Sequence, residues 1–159
     1  MKTLIVYATK YGSTEKCAKY LQKQLPGEAV LYCVQKKDPI PELESFDAVV
    51  LGGAIYVGRL QKPMRQFITQ NTDALLKQKL GLFFVGATPD EKAADIWKNF
   101  PGPLLRHASV KETFGGEVQT DRLTFFDRKI MSFVQKNGEF HMPEILYSNI
   151  EKFAAQIQA

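Results

Sequence analysis

Lys2-Thr-Leu-Ile-Val-Tyr-Ala-Thr-Lys-Tyr-Gly-Ser-Thr14 is the stretch whose reading decides the fold. Its first half is a short, β-rich apolar run with little alternation, the pattern of a strand buried on both faces of a parallel sheet. Its second half, 9–14, is a loop carrying one glycine and several hydroxyls. A helix follows over about 13–25, with Cys17, Ala18, Leu21 and Leu25 on one stripe, and Pro26-Gly27 stops it. Strand, glycine-bearing loop, helix is the opening of a βαβ unit.

The rest of the chain repeats that alternation. A second strand is expected at 29–34, followed by a loop punctuated by Pro39 and Pro41. A third buried strand runs over 46–54 and ends in the loop 55–59. Pro63 suits the first turn of a helix reaching about Thr72, with Met64, Phe67 and Ile68 facing inward. A fourth strand covers 80–86 and leads into the loop 87–90. Residues 91–107 read as helical with a break at Pro101-Gly-Pro103, and 109–114 as a fifth strand left through Gly115-Gly116. A closing helix, about 143–156, carries Ile145, Ile150, Phe153 and Ile157. Strands alternating with helices imply right-handed crossovers and an α/β three-layer sandwich. A five-stranded parallel sheet in the order 2-1-3-4-5, with helices on both faces, is the expected architecture. Ligands of such a sheet sit at the carboxyl ends of strands one and three. No repeat, low-complexity tract or linker divides residues 1–159, so one domain is expected.

Composition narrows the function classes. The chain is 45% hydrophobic and 24% charged, an ordinary globular balance. No N-terminal stretch has the order of a secretory signal, and no apolar run approaches the roughly 18 residues of a membrane helix. A cytoplasmic protein is the expectation. Cys17 and Cys33 are too few for a disulfide framework or thiolate metal site and read as buried free thiols; His107 and His141 stand far apart, so no metal is expected. The formal charge of +4 suits anionic partners such as phosphate, carboxylate, nucleic acid or acidic lipid, without choosing among them.

The loop Thr9-Lys10-Tyr11-Gly12-Ser13-Thr14 is more selective. An anion there meets unpaired backbone N–H groups and the positive end of the helix dipole. Gly12 lets the chain curl close, Thr9, Ser13 and Thr14 offer hydroxyls, and Lys10 adds a positive charge. Ser13 as a helix cap and Gly12 as a turn residue would explain those two positions, but not hydroxyls on both flanks. The loop is not a P-loop, which needs a Gly-Lys-Ser/Thr ending, and no Gly-x-Gly-x-x-Gly is present.

Thr9-x-x-Gly12-x-Thr14 after an opening strand resembles the phosphate loop of flavodoxins. The resemblance implies flavin mononucleotide (FMN) as cofactor, its phosphate held by residues 9–14. It implies two further loops around the flavin ring: Ala54, Ile55, Tyr56, Val57 and Gly58 in one, Ala87, Thr88 and Asp90 in the other. Tyr56 is the stacking candidate, with Gly52-Gly53 and Gly58 on either side admitting the ring edge, although many flavodoxins have the aromatic directly before the loop glycine, where Val57 stands here. Pro89 and Asp90 are equally compatible with plain turn chemistry.

Two features depart from an electron shuttle. Electron-carrying flavodoxins are typically acidic, whereas this chain is basic. It also has an additional segment, 119–136, with Phe126, Ile130, Phe133 and Val134 on one helical stripe and Arg122, Arg128, Lys129 and Lys136 supplying charge. Phe125-Phe-Asp-Arg-Lys-Ile-Met131 resembles the corresponding stretch of flavodoxin-like, menaquinone-dependent protoporphyrinogen dehydrogenases. That resemblance implies a tetrapyrrole substrate contacted by Arg128, Phe125 and Phe126, a quinone acceptor, and peripheral contact with an anionic membrane on the cytoplasmic face. The stripe equally suits packing on the domain's own sheet or pairing of two subunits. Three functions stay open: an oxidoreductase of this dehydrogenase type, a small FMN electron carrier or quinone reductase, and a non-catalytic interaction domain on the same scaffold. No nucleic-acid partner is expected. Response regulators share the topology but need an acidic cluster after strand one and an Asp ending strand three; Thr9-Lys10 and Gly52-Gly53 occupy those places. No side chain marks itself as an acid–base catalyst.

Overall fold

The computed structural model of the chain describes residues 1–86, 93–116 and 144–159. Its central strand β1, Lys2–Ala8, pairs in parallel with β2, Glu28–Cys33, on one side and with β3, Ala48–Tyr56, on the other. Beyond β3 lies β5, Lys79–Val85, and beyond that β6, Val110–Thr113, both parallel to their neighbours. The order β2-β1-β3-β5-β6 is the expected arrangement of five parallel strands. A sixth strand, β4, covers only Arg59–Leu60 and folds back antiparallel on the end of β3.

The lack of polar alternation in β1 follows from burial of both its faces. Leu4, Val6 and Ala8 enter one core cluster, with Val49, Leu51, Leu80 and Leu82 of neighbouring strands. Helix α2, Lys62–Leu75, covers that face with Met64, Phe67 and Ile68, and α4, Gly102–His107, adds Leu104. Ile5 and Tyr7 enter the opposite cluster with Val50, Phe83 and Val85. There α1, Ser13–Gln24, contributes Cys17, Ala18 and Leu21, and the closing helix α5, Tyr147–Gln158, contributes Ile150, Phe153 and Ile157. A short helix α3, Ala93–Trp97, and a 3-10 turn, Leu43–Ser45, complete the described elements.

Several sequence expectations are adjusted. The third strand does not stop at Ala54; it runs to Tyr56, because Ile55 and Tyr56 pair with Leu60 and Arg59 and turn the expected loop into a hairpin. Gly52 and Gly53 serve packing inside the protein. The ring of Phe83, stacked on Phe114 with centroids 4.3 Å apart, fills the space beside Gly52, and Leu60 fills that beside Gly53. Cys17 is buried and in no disulfide, whereas Cys33, at the end of a strand on the sheet edge, is only half-buried. Among the described residues no helix is long and apolar enough to cross a membrane.

Candidate functional site

The chain leaves β1 toward β2 on one side and reaches the other half of the sheet through β3, so a crevice opens where the carboxyl ends of β1 and β3 diverge. The loop 9–14 lies at that point. Backbone pairing between β1 and β2 ends with Val34 N–H donating to the Tyr7 carbonyl at 3.0 Å. The Gln35 side chain continues the ladder: its Oε1 accepts from Thr9 N–H at 2.7 Å and its Nε2 donates to the Thr9 carbonyl at 2.8 Å. Thr9 Oγ1 in turn accepts from Gly12 N–H at 3.0 Å, which closes the loop and leaves the hydroxyl proton to be donated outward. Gly12, at φ 95°, takes the left-handed conformation that brings the chain into α1. It is also the residue at the helix cap, so Ser13 stands inside the first turn, and no side chain of the cap position satisfies the N–H groups there.

Thr14, one residue further, is 1% exposed. Its Oγ1 is buried and has no hydrogen-bond partner among the described residues. An unsatisfied buried hydroxyl costs about 1–3 kcal/mol. Thr3 Oγ1 is in the same condition at the opposite end of β1, so a buried hydroxyl without a described partner does not by itself define a site. What distinguishes Thr14 is its place in the first turn of α1, beside N–H groups suited to an anion. The acidic residue of that turn, Glu15, is engaged elsewhere. It lies 3.6 Å from Lys19 Nζ and accepts a hydrogen bond from Tyr7 Oη at 3.2 Å. Burial, and then the charge of Glu15, push the Tyr7 phenol well above its usual range.

The second wall is the β3–β4 hairpin. Val57 at φ 50° and Gly58 at φ 74° form its two-residue tip, the paired left-handed geometry of a type I′ turn. Glycine takes this conformation freely; a β-branched valine does so at a cost of order 1–3 kcal/mol. Val57 is nonetheless 76% exposed, with no packing to offset that strain. The hairpin is pinned from below. Asn99 Oδ1 accepts from Leu60 N–H at 3.0 Å, and its Nδ2 donates to the carbonyls of Gly58 at 3.0 Å and Ile96 at 2.9 Å. Arg65 Nε donates to the Leu60 carbonyl at 3.0 Å, and Gln61 Oε1 accepts from Ala54 N–H at 3.4 Å.

The two walls meet through Lys10, whose Nζ lies 3.1 Å from the centroid of the Tyr56 ring and 5.2 Å from that of Tyr11. Lys10 thus brings the loop 9–14 and the hairpin residue Tyr56 next to each other at this end of the sheet. Gly86, which follows β5, packs beside the hairpin; a side chain there would press on Ile55 Cβ at 3.1 Å. Ala87, Thr88 and Asp90 lie outside the described residues, as do Phe125, Phe126 and Arg128 with the whole segment 119–136. Gln35, Gln61 and Asn99, which hold the walls in place, carry no local sequence signal.

A family model described as a flavodoxin domain matches residues 4–142. The protoporphyrinogen IX dehydrogenase (quinone) of Escherichia coli strain K12 is 24% identical over 165 residues, covering 97% of this chain and 91% of that protein. A protein of the same name from Leishmania major is 25% identical over 173 residues, covering 99% of this chain and 75% of the relative. Among solved structures, a flavodoxin from Streptococcus pneumoniae TIGR4 superposes with a TM-score of 0.63 at 17% identity, covering 99% of this chain and 98% of that one. A Fusobacterium nucleatum flavodoxin bound to flavin mononucleotide gives 0.59 at 12% identity, covering 99% and 96%. At these identities the structural likeness speaks to the fold.

Proposed function

The chain belongs to the flavodoxin domain family, and from that premise we propose that it binds FMN in the crevice between residues 9–14 and 54–58 and acts as a flavin-dependent oxidoreductase. The observation that carries this reading is the buried Thr14 hydroxyl, without a partner among the described residues, in the first turn of α1 behind the left-handed Gly12. A phosphate monoester offers what that hydroxyl and the surrounding N–H groups lack, an anionic acceptor with several oxygens. Thr9 and Ser13 add hydroxyls from the same loop, and Lys10 adds a charge. The Tyr56 ring offers an aromatic face for a flavin. Asn99 and Arg65 hold the hairpin in place before any ligand arrives, which reduces the ordering that binding requires.

When bound, FMN supplies transfer of one or two electrons. The protein's own contribution is to hold the phosphate, orient the ring and keep the hairpin rigid. For the substrate, we favour a porphyrinogen with a quinone as acceptor. Two named dehydrogenases align with nearly the whole chain, and the charge of +4 suits a substrate bearing carboxylates. On this reading Arg128 pairs with propionates, Phe125 and Phe126 form an apolar floor, and the basic segment 119–136 meets an anionic membrane surface where quinone is available.

Titration of the purified protein with FMN, followed by its visible absorption, tests the cofactor. A perturbed flavin spectrum with saturable binding supports it; no binding at high micromolar FMN removes the redox reading and leaves an interaction domain. Anaerobic incubation of the holoprotein with a porphyrinogen and a quinone, followed by porphyrin fluorescence, then tests the substrate. A holoprotein inert in that assay but reduced by a flavodoxin reductase is a small electron carrier.

A further inference from the structure

Glu15 is the third residue of α1, counted from the cap residue Gly12. From that position a glutamate ordinarily folds back onto the N–H of the cap residue, as in a capping box. Folded back, its carboxylate would sit at the positive end of α1, where a second anion could be held only by displacing it. Here it is turned away. Gly12 N–H donates to Thr9 Oγ1 instead. Glu15 Oε1 accepts from Tyr7 Oη at 3.2 Å and stands 3.6 Å from Lys19 Nζ, one helical turn further on. The two partners are not equal. The Lys19 side chain is 60% exposed, and exposed pairs of this kind are worth little. Tyr7 is 3% exposed, its ring fixed in the core cluster beneath α1 with Val50, Phe83 and Val85, so its hydroxyl is an anchored donor.

Resting on the FMN reading, we propose that Tyr7 is a positioning residue that keeps the Glu15 carboxylate off the N-terminal end of α1 and so leaves that end open to a phosphate. Tyr7 acts through Glu15 and not on the ligand. Without the phenol, the carboxylate takes the free N–H groups in the empty protein, and FMN has to displace it before its phosphate can enter. The cost falls on the phosphate alone, because riboflavin asks nothing of that end of the helix.

The test measures FMN and riboflavin binding, followed by quenching of flavin fluorescence, in the wild-type chain, Tyr7→Phe, Glu15→Gln and the double variant. Phenylalanine keeps the buried ring, and far-UV circular dichroism checks that each variant is folded. Tyr7→Phe weakens FMN by roughly 2- to 30-fold, the worth of a carboxylate at a helix N-terminus, and leaves riboflavin as it was. Adding Glu15→Gln restores FMN binding at least to the wild-type level, since no competing charge remains. Glu15→Gln alone does not weaken FMN. A Tyr7→Phe chain with unchanged FMN affinity overturns the proposal. So does a double variant as weak as Tyr7→Phe, or an equal loss for FMN and riboflavin; either marks the phenol as a strut between β1 and α1. All three of these results leave the flavin reading standing, whereas a wild-type chain that binds neither flavin overturns both.

Discussion

Thr14→Val separates the cofactor reading from plain helix structure, because the two expected effects have opposite signs. Thr14 is 1% exposed and its Oγ1 finds no partner among the described residues. Valine replaces that oxygen by a methyl group and keeps the β-branched shape, so the first turn of α1 is undisturbed. Relief of the buried hydroxyl stabilises the ligand-free protein by about 1 kcal/mol or more. For a domain of this size that raises Tm by about 2–4 °C. With FMN present the variant lacks a hydrogen bond to a charged group, about 1.5–3 kcal/mol, which weakens binding at least tenfold. The assay is thermal unfolding with and without FMN at one hundred times the wild-type Kd. There the wild type gains about 2.7 kcal/mol from ligand and a tenfold weaker variant about 1.4 kcal/mol. The variant therefore melts higher when empty and shows about half the FMN-induced shift. A variant that melts lower when empty and keeps the full FMN shift refutes the reasoning, since its hydroxyl would then be satisfied by the protein itself.

Gln35→Leu removes both side-chain bonds to Thr9 and costs about 1 kcal/mol of stability, discounted for exposure; stopped-flow release of FMN is expected to be several-fold faster than in the wild type. Val57→Asn puts the favoured Asn-Gly pair at the hairpin tip and raises stability by about 1 kcal/mol, read as a higher urea midpoint with unchanged m-value. Asn99→Leu leaves the hairpin N–H and carbonyl groups unmatched and destabilises by about 2 kcal/mol, with FMN affinity falling in isothermal titration as the Tyr56 wall loosens. For Tyr7 the phenol pKa is raised in the folded protein, first by burial and then by Glu15. Below pH 10 the phenol is protonated both folded and unfolded; above it only the unfolded chain ionises, so stability falls as pH rises. Tyr7→Phe removes its share of that fall in denaturant melts at pH 8 and pH 11, while Tyr20 and Tyr32, also shifted upward, keep the remainder.

How much of this was legible from residue order depended on the range of the interaction. β1 could be read because Leu4, Ile5, Val6 and Tyr7 are apolar in succession, and the two core clusters show why: alternate residues supply opposite faces, and both faces are covered. The sheet order followed from alternating elements and handedness. The end of β3 was misplaced because Ile55-Tyr-Val-Gly-Arg59 contains a glycine and reads as a loop, whereas a type I′ tip needs only two residues and lets Tyr56 pair with Arg59. Valine at a left-handed position is the residue a turn signal would least suggest. Gly52 misled for a different reason: a glycine near a presumed ligand also suits a phenylalanine, and only the position of Phe83 across the ladder decides between them.

The site itself divides along the same line. Thr9, Gly12 and Thr14 were legible because the loop is local: a strand end, a positive-φ glycine and a helix start within six residues. The groups that make the loop rigid are not local. Gln35 is 26 residues from Thr9, and Asn99 is 41 residues from Gly58, so neither spacing nor composition marks them. These distant amides act on both walls in the absence of ligand: one holds the Thr9 peptide from both ends, the other holds the β3–β4 hairpin to the turn after α3. A crevice fixed at both walls loses little conformational freedom when a ring enters. Rigidity then rests on two amides whose partners here are backbone groups of the two walls. Substitution at Gln35 or Asn99 should therefore weaken FMN and riboflavin by similar factors.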